Sequence, residues 1–465
     1  MKRKITLICI SVMLILSASA QDGTLDGSFN ASAFFVGTGH VYDFKIQPDG
    51  KYVLGGGFVV IDGMNFTTGI ARLESDGSKD PSFNLVSVGT IRSVDLQSDG
   101  KILLGGISGP MLYRLNSDGT VDNTFDPGTG ANGFVWKVLS LPDGKILTGG
   151  AFTEINGTPV TRIARLNADG SVDNTFNTGG AGFTGGRVVD MALQPDGKIL
   201  VTGDFNMYNG VARKGVARLH ADGTLDNTFD PGMGTLPGGV EAIVLQPDGK
   251  MIIVGEFTSY DGTTANRIAR LNIDGTLDAT FTAGFSNHVQ YALALQPDGK
   301  VLVGGASTLM GTTQTVARLV RLLPSGALDT LFNPGGNGPD ARVWAVQVQP
   351  DGKIMMAGEF SNYNGVAAPR FIRLNGTGDP NIGTETLNAL HTSMYPNPAN
   401  QQISLNNVPI NADVAIHDLS GRLLFTTQTN ATSHTVDVSS LPNGAYLLRI
   451  RHQNSVSAKK FVVSR

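Results

Sequence analysis

The sequence predicts an all-β protein: a ring of seven like sheets, closed by its own N-terminal segment and followed by a small Ig-like β-sandwich. Three observations predict it. A short phrase, Leu-Gln-Pro-Asp-Gly-Lys at Leu193–Lys198, Leu245–Lys250 and Leu295–Lys300, recurs with small changes at Ile46–Lys51, Leu96–Lys101, Ser140–Lys145 and Val348–Lys353. Its Asp falls at 49, 99, 143, 196, 248, 298 and 351, so the copies stand 44 to 53 residues apart. Residues Asp22–Phe29 read as the end of a repeat with nothing before it, while the last repeat lacks that end. The pattern stops after Pro380, and short alternating runs take over from Ser393.

The N-terminus reads as a secretion signal: Lys2, Arg3 and Lys4, the apolar run Ile5–Leu16, then Ala18-Ser19-Ala20, with cleavage between Ala20 and Gln21. The apolar run is short for a membrane span, and no other segment reaches that length. Cys9, the only cysteine, lies inside it, so the mature chain is expected to be stable without disulfides.

Each copy of the phrase is a turn. Pro presets φ for the second position, Asp bonds to nearby backbone, and Gly accepts positive φ. The runs on either side are apolar, as in Met191–Leu193 and Ile199–Val201, so the phrase closes a β-hairpin. A loop with Phe and an Asn-Gly or Asp-Gly turn follows; it carries Phe58, Phe152, Phe205, Phe257 and Phe360. The second repeat lacks it, and the sixth has Gly311 at the turn position. A second signature closes the unit, clearest at Ala164–Phe176 and matched at Ala71–Phe83, Tyr113–Phe125, Ala217–Phe229, Ala269–Phe281 and Val320–Phe332. The unit thus holds four short extended pieces and two faces to bury. Radial repetition into a seven-bladed β-propeller over residues 21–380 buries both. The N-terminal segment supplies the missing end of the seventh blade and removes an open sheet edge.

The three recurring motifs, Leu-Gln-Pro-Asp-Gly-Lys-Ile-Leu, Gly-x-Phe-x-x-x-Asn-Gly and Arg-Leu-Asn-x-Asp-Gly-x-x-Asp-x-x-Phe, resemble the delta-60 repeat family of bacterial secreted β-propellers. That family brings no known activity or ligand.

Residues 381–392 read as a linker. Beyond them Gln402–Leu405, Val414–His417, Leu423–Thr427, Thr435–Val438, Tyr446–Ile450 and Lys460–Val463 alternate as strands of a small antiparallel sandwich over 393–465. This module resembles the type A C-terminal sorting domain of type IX secretion in Bacteroidota. The matching residues are Tyr395, Pro396, Asn397 and Pro398 at its start, Asp418–Arg422 with Gly421, Leu441–Tyr446 with Gly444 and Tyr446, and Lys459 and Lys460 at its end. The resemblance implies a partner, the type IX machinery, and a route through the periplasm to the surface or the medium, the tail being removed and the cargo released or attached to lipopolysaccharide.

Chemistry is sparse. Charged residues make up 16% of the chain and the net charge is −4, which speaks against nucleic acid and anionic membranes as partners. None of the seven histidines has metal-ligand spacing. Gly128–Gly133 and Gly180–Gly185 match a dinucleotide pattern but precede strands, so they read as inter-blade linkers. Runs such as Asn167–Asp173 could hold calcium, yet they lack the further ligands of a calcium loop, and Asx turns explain them; no cofactor is expected. The recurring Arg72, Arg114, Arg165, Arg218, Arg270, Arg321 and Arg373 read as structural, bonding backbone or a neighbouring blade's Asp.

One column breaks the repeat. Seven residues before each turn Asp stand Tyr42, Arg92, Trp136, Val189, Glu241, Tyr291 and Trp344, near the start of each innermost strand. Both tryptophans of the chain fall here. Tyr42, Arg92, Trp136, Glu241, Tyr291 and Trp344 are the candidate ligand-binding residues, a set suited to a surface glycan or a protein. A second column, Asp204, Glu256 and Glu359, adds acidity on a loop. The expected function is a non-enzymatic, monomeric binding or adhesion scaffold. The alternative is a secreted carbohydrate-active hydrolase or lyase working at the channel mouth, which would need paired carboxylates in a deep pocket.

Overall fold

The computed structural model describes residues 22–31, 39–62, 65–108, 111–283, 285, 288–306, 308–310, 314–316, 318–376, 388–389, 393–396, 399–418, 423–452 and 455–465. The secretion signal with Ala20 and Gln21, Gly311, Asn397, Pro398 and Gly421 lie outside these residues. The chain divides into two compact units, one of residues 20–379 and one holding residues 380–465.

In the first unit seven innermost strands stand side by side in a closed ring: Val41–Ile46, Ile91–Leu96, Val135–Ser140, Val188–Leu193, Val240–Leu245, Gln290–Leu295 and Val343–Val348, the last adjoining the first. Each begins one blade. In the fourth, Val188–Leu193 pairs antiparallel with Ile199–Gly203, which pairs antiparallel with Val216–Leu219. Every fully described middle strand is buried along its whole length. That explains why Ile199–Gly203 reads as a continuous apolar run: both of its faces meet neighbouring blades.

Seven apolar clusters fill the seven gaps between blades. The one closing the ring joins Met355, Ala357 and Phe371 of the last blade to Val41, Phe44, Tyr52 and Leu54 of the first. The N-terminal segment completes that seam. Gly23 and Asp26 donate backbone hydrogen bonds to Asn375 and Arg373, Asn375 returns one to Thr24, and Phe29 packs into the cluster.

Three of the four expected pieces form a ladder. The fourth is held to the third strand by a single bridge, Leu219↔Leu225 in blade four, and by short backbone bonds such as Asp226 N–H to Arg218 C=O. The Asp222-Gly223 turn reverses the chain, and the Asp226 carboxylate then turns inward, which ends the pairing. The Asn-Gly loop forms a small hairpin of its own: Met207–Tyr208 pairs with Val211–Ala212, and with Phe183–Thr184 of the incoming linker.

In the second unit a five-stranded sheet runs in the order Asn388–Ala389, Ser455–Val463, Gly444–His452, Asp413–Asp418, Leu423–Gln428. A three-stranded sheet holds Ser393–Tyr395, Gln402–Asn406 and Ser433–Asp437. Ile403, Leu405 and Val436 of one sheet share an apolar core with Val414, Ile416, Leu448, Ile450 and Phe461 of the other. Two details correct the sequence reading. Asn388 and Ala389, assigned to a linker, form a strand, and its pairing with Ser455 and Val456 is parallel, as is the single bridge between Ala399 and Val463, where the sequence reading expected an antiparallel module. Among the described residues no helix is long and apolar enough to cross a membrane.

Candidate functional site at the channel mouth

All seven innermost strands carry the same irregularity. In the first blade Val41 faces Gly56 and Asp43 faces Gly55, so Tyr42 is an extra residue without a cross-strand partner. Arg92, Trp136, Val189, Glu241, Tyr291 and Trp344 are skipped in the same way. A bulge lets two successive side chains fall between residues that point the other way. Val41 and Phe44 are fully buried between blades, so Tyr42 and Asp43 both face the channel. The glycine opposite permits the kink. A methyl group on Gly56, Gly150, Gly203, Gly255 or Gly358 would collide with the backbone carbonyl of His40, Phe134, Arg187, Gly239 or Arg342, respectively.

The bulges bring the predicted column together. Its seven residues line one cavity of about 100 Å³. The Arg92 guanidinium carbon lies over the rings of Tyr42, Trp136 and Trp344, at 4.3, 4.3 and 4.8 Å from their centroids. Tyr42 meets Trp344 edge-on at 5.4 Å, and Tyr291 lies against Trp344 at 4.3 Å. Arg187, outside the column, also lies over Trp136, at 4.2 Å, and reaches Glu241 at 3.4 Å. Burial pushes the Glu241 carboxyl up, Arg187 and Arg92 pull it down, and nearby Glu256 and Asp204 push it up again. Burial likewise works against the charge of Arg92.

The acidic loop column borders the same mouth. The indole N–H of Trp344 donates to Glu359 at 3.0 Å, with Arg342 at 3.7 Å from that carboxylate. Asp204 sits against Arg187 at 3.4 Å, and Glu256 is exposed.

A second tier was not legible in the sequence. It holds Asp43, Ser93, Lys137 and Asp190, six residues before the turn Asp, where the remaining blades have Ala242, Ala292 and Ala345. Lys137 pairs with Asp190 at 2.7 Å. Asp43 and Asp190 accept the backbone N–H of Val94 and Ile243 in an adjoining strand, at 2.9 and 3.1 Å. These carboxylates brace the ring. Burial raises the Asp43 carboxyl against the pull of Lys45 and Lys137. Burial would lower the Lys137 ammonium, but Asp190 and Asp43 outweigh it and hold it above its usual range.

The recurring arginines are structural, with one correction. Six of them bond the Asp eight residues on in their own chain segment, as Arg218 Nε does to Asp226 at 2.7 Å; of these, Arg321 also pairs with a neighbouring blade's Asp, Asp22 of the segment that completes the seventh blade. In the other blades the link goes to backbone, as where Arg218 Nη1 donates to the Ile273 carbonyl at 2.6 Å. In the seventh blade Arg373 bonds Asp26 of the N-terminal segment at 2.6 Å. The Lys of the turn phrase joins them, Lys353 meeting Asp26 at 2.6 Å. In the Asn167–Asp173 run, Asp169 accepts from Ser171, and Asp173 from Thr175, Arg165 and Lys145. Among the described residues no group of three or more His, Cys, Asp or Glu is arranged to hold a metal.

In the sorting module Tyr395 and Pro396 are exposed, and Asn406 donates to the Tyr395 hydroxyl at 3.1 Å. Tyr446 is buried and donates to the Pro442 carbonyl at 2.8 Å. Gly444 pairs with Val463, and Lys459 and Lys460 pair with Leu448 and Leu447.

Comparison with known proteins agrees with this architecture. Residues 47–83, 97–125, 141–176, 194–229, 246–281, 296–332 and 349–381 match the model of a family described as a domain of unknown function (DUF5122) beta-propeller. Residues 393–464 match the secretion system C-terminal sorting domain. No curated protein matches the sequence. Among solved structures, PorZ, a surface component of the type-IX secretion system of Porphyromonas gingivalis, is 14% identical with a TM-score of 0.43. That match covers 92% of this chain, which spans only 59% of PorZ. YCF48 bound to D1 peptide is 13% identical over 76% of this chain and 97% of its own, with a TM-score of 0.45. A gluconolactonase from Xanthomonas campestris is 13% identical over 78% and 99%, with a TM-score of 0.39.

Proposed function

The chain belongs to the DUF5122 β-propeller family and ends in a type IX sorting domain, and from that premise we propose that it is a non-enzymatic binding scaffold whose recognition site is the channel mouth. The sorting domain marks proteins exported to the cell surface or the extracellular space, so the propeller works outside the cell.

The observation that carries the reading is the convergence of Tyr42, Arg92, Trp136, Glu241, Tyr291 and Trp344 at the one level where the blades stop agreeing. A rigid ring with varied residues at one rim is how repeat scaffolds recognise ligands. The cavity favours binding over catalysis. Its 100 Å³ is well below the several hundred that bury a whole small substrate. Glu241 and Glu359 are tied to Arg187 and to the Trp344 indole, which leaves neither placed as a free acid or base in a deep pocket.

The test is a glycan and peptide array probed with the parent protein and with Trp136→Ala and Trp344→Ala. A ligand bound by the parent and weakened at least tenfold in Trp344→Ala, about 1.4 kcal/mol, supports the reading. Equal binding by all three proteins removes the mouth from recognition. Hydrolysis or lysis of any arrayed glycan would favour the enzyme instead.

A further inference from the structure

We propose that the mouth seats the C-terminal carboxylate of a peptide that carries a lysine or arginine within its last few residues. The inference rests on the binding reading and names the ligand of that same site.

Arg92 is the centre of the argument. Three aromatic rings stabilise its charge through their faces, at 4.3 to 4.8 Å. Rings that hold the cation this way leave most of its in-plane N–H donors without strong acceptors. Among the described residues Arg92 forms no ion pair; the Tyr42 hydroxyl engages one of its donors, and Glu241 acts on it only at a distance. Beside it the Trp136 indole N–H is buried and has no hydrogen-bond partner among the described residues. A buried donor without an acceptor is unfavourable, and a ligand that supplies the acceptor recovers that loss. Arg92 and Trp136 line one 100 Å³ cavity with Asp43, Asp190 and Glu241. Those carboxylates are already engaged by backbone N–H groups, Lys137 and Arg187, so the donors left over match a single oxyanion the size of a carboxylate.

The rim decides what else the ligand carries. Glu256 is exposed and makes no ion pair among the described residues. Asp204 and Glu359 lie along the same rim, each only loosely neutralised by an arginine. A polyanion such as a uronic-acid chain would meet these carboxylates and be repelled. A single negative tip on a neutral or basic body would not. A polypeptide end has that form: one carboxylate that enters, and a side-chain ammonium or guanidinium that stays on the rim beside Glu256.

Because the chain has only two tryptophans and both stand at the mouth, its intrinsic fluorescence reports on this site. The experiment titrates the whole protein with two hexapeptide libraries that are identical apart from the end group, one with free carboxylates and one with amides, each with lysine fixed in turn at the last four positions. The expected result is saturable quenching by the free-acid library and more than tenfold weaker binding of the amides. Trp136→Phe keeps the ring and removes the N–H, and should lose several-fold in affinity. Glu256→Gln should weaken lysine-bearing peptides several-fold and alanine-bearing ones little. Equal binding of acids and amides, or no binding of either, overturns the proposal. If a ligand found on the arrays depends on Trp344 while acids and amides behave alike, the carboxylate proposal falls and the binding reading stands. If no ligand responds to any mouth substitution, both fall.

Discussion

The Asp226 carboxylate is fully buried, with Arg218 Nε at 2.7 Å, Lys198 Nζ at 3.1 Å, and the Thr228 N–H and hydroxyl at 2.9 and 2.6 Å. Both oxygens are in use, and the guanidinium that one of them holds also reaches the next blade. Removing the charge strands a buried arginine, which typically costs about 3–5 kcal/mol. Asp226→Asn should therefore lower stability by about that amount in urea unfolding. Asp196→Ala, in the exposed turn, removes little more than one local backbone bond and should cost under about 1 kcal/mol. The same chemistry sets an acid response. At Asp26, Asp80, Asp122, Asp173, Asp226 and Asp278, burial opposes the charge, but lysine, hydroxyl and arginine hydrogen bonds outweigh it and hold the carboxyls well below their usual range. A folded-state value below the unfolded one, which lies at about 3.9, contributes stability that is complete above about pH 5 and lost as pH falls toward the folded value. Asp43 and Glu241, raised by burial, act in the opposite sense in the window above it. Thermal melts should show no loss between pH 7 and 5 and a steep fall below 4; a decline already under way at pH 6 would contradict the assignment.

At the scale of one element, the N-terminal segment and the bulge carry the most. The segment supplies backbone bonds to Arg373 and Asn375, buries Phe29, and gives Arg373 the carboxylate that the other blades provide for themselves. Deleting residues 22–31 should lower the melting temperature by about 10 °C or more, given a few degrees per kcal/mol in a domain of this size. An unchanged melt would mean the ring is closed some other way. The bulge rests on a glycine. Gly203→Ala places a methyl group against the Arg187 carbonyl and should cost about 1–3 kcal/mol through overpacking. Gly179→Ala meets no neighbour and bears only its positive φ, so it should cost about 1 kcal/mol. The bulge also explains what the sequence left hidden. In a regular strand successive side chains face opposite ways, so placing Tyr42 on the channel implies that Asp43 points into the blade. The bulge returns both to the channel, and only the register against the middle strand reveals it.

On the scale of the whole molecule, delivery belongs to the sorting unit, and recognition is the role proposed for the propeller. Removing residues 393–465 should leave the propeller inside the cell envelope, which fractionation and surface proteolysis would detect; delivery to the surface without the tail would contradict the sorting assignment. The blade count, the hairpin turns, the closing segment and six of the sandwich strands were all legible because each depends on neighbours close in sequence, or on a repeat that states its own period. The Trp136 and Trp344 column was legible for a related reason: a position that varies within an otherwise repeated frame stands out. What the tertiary structure alone decided is which groups meet across the ring. Arg92 lies under Trp344, 252 positions further along, and Lys353 bonds Asp26, 327 positions earlier. No local pattern encodes such contacts. They arise because seven inner strands share one axis, and closing that ring turns a column of unlike residues into a cage around one arginine.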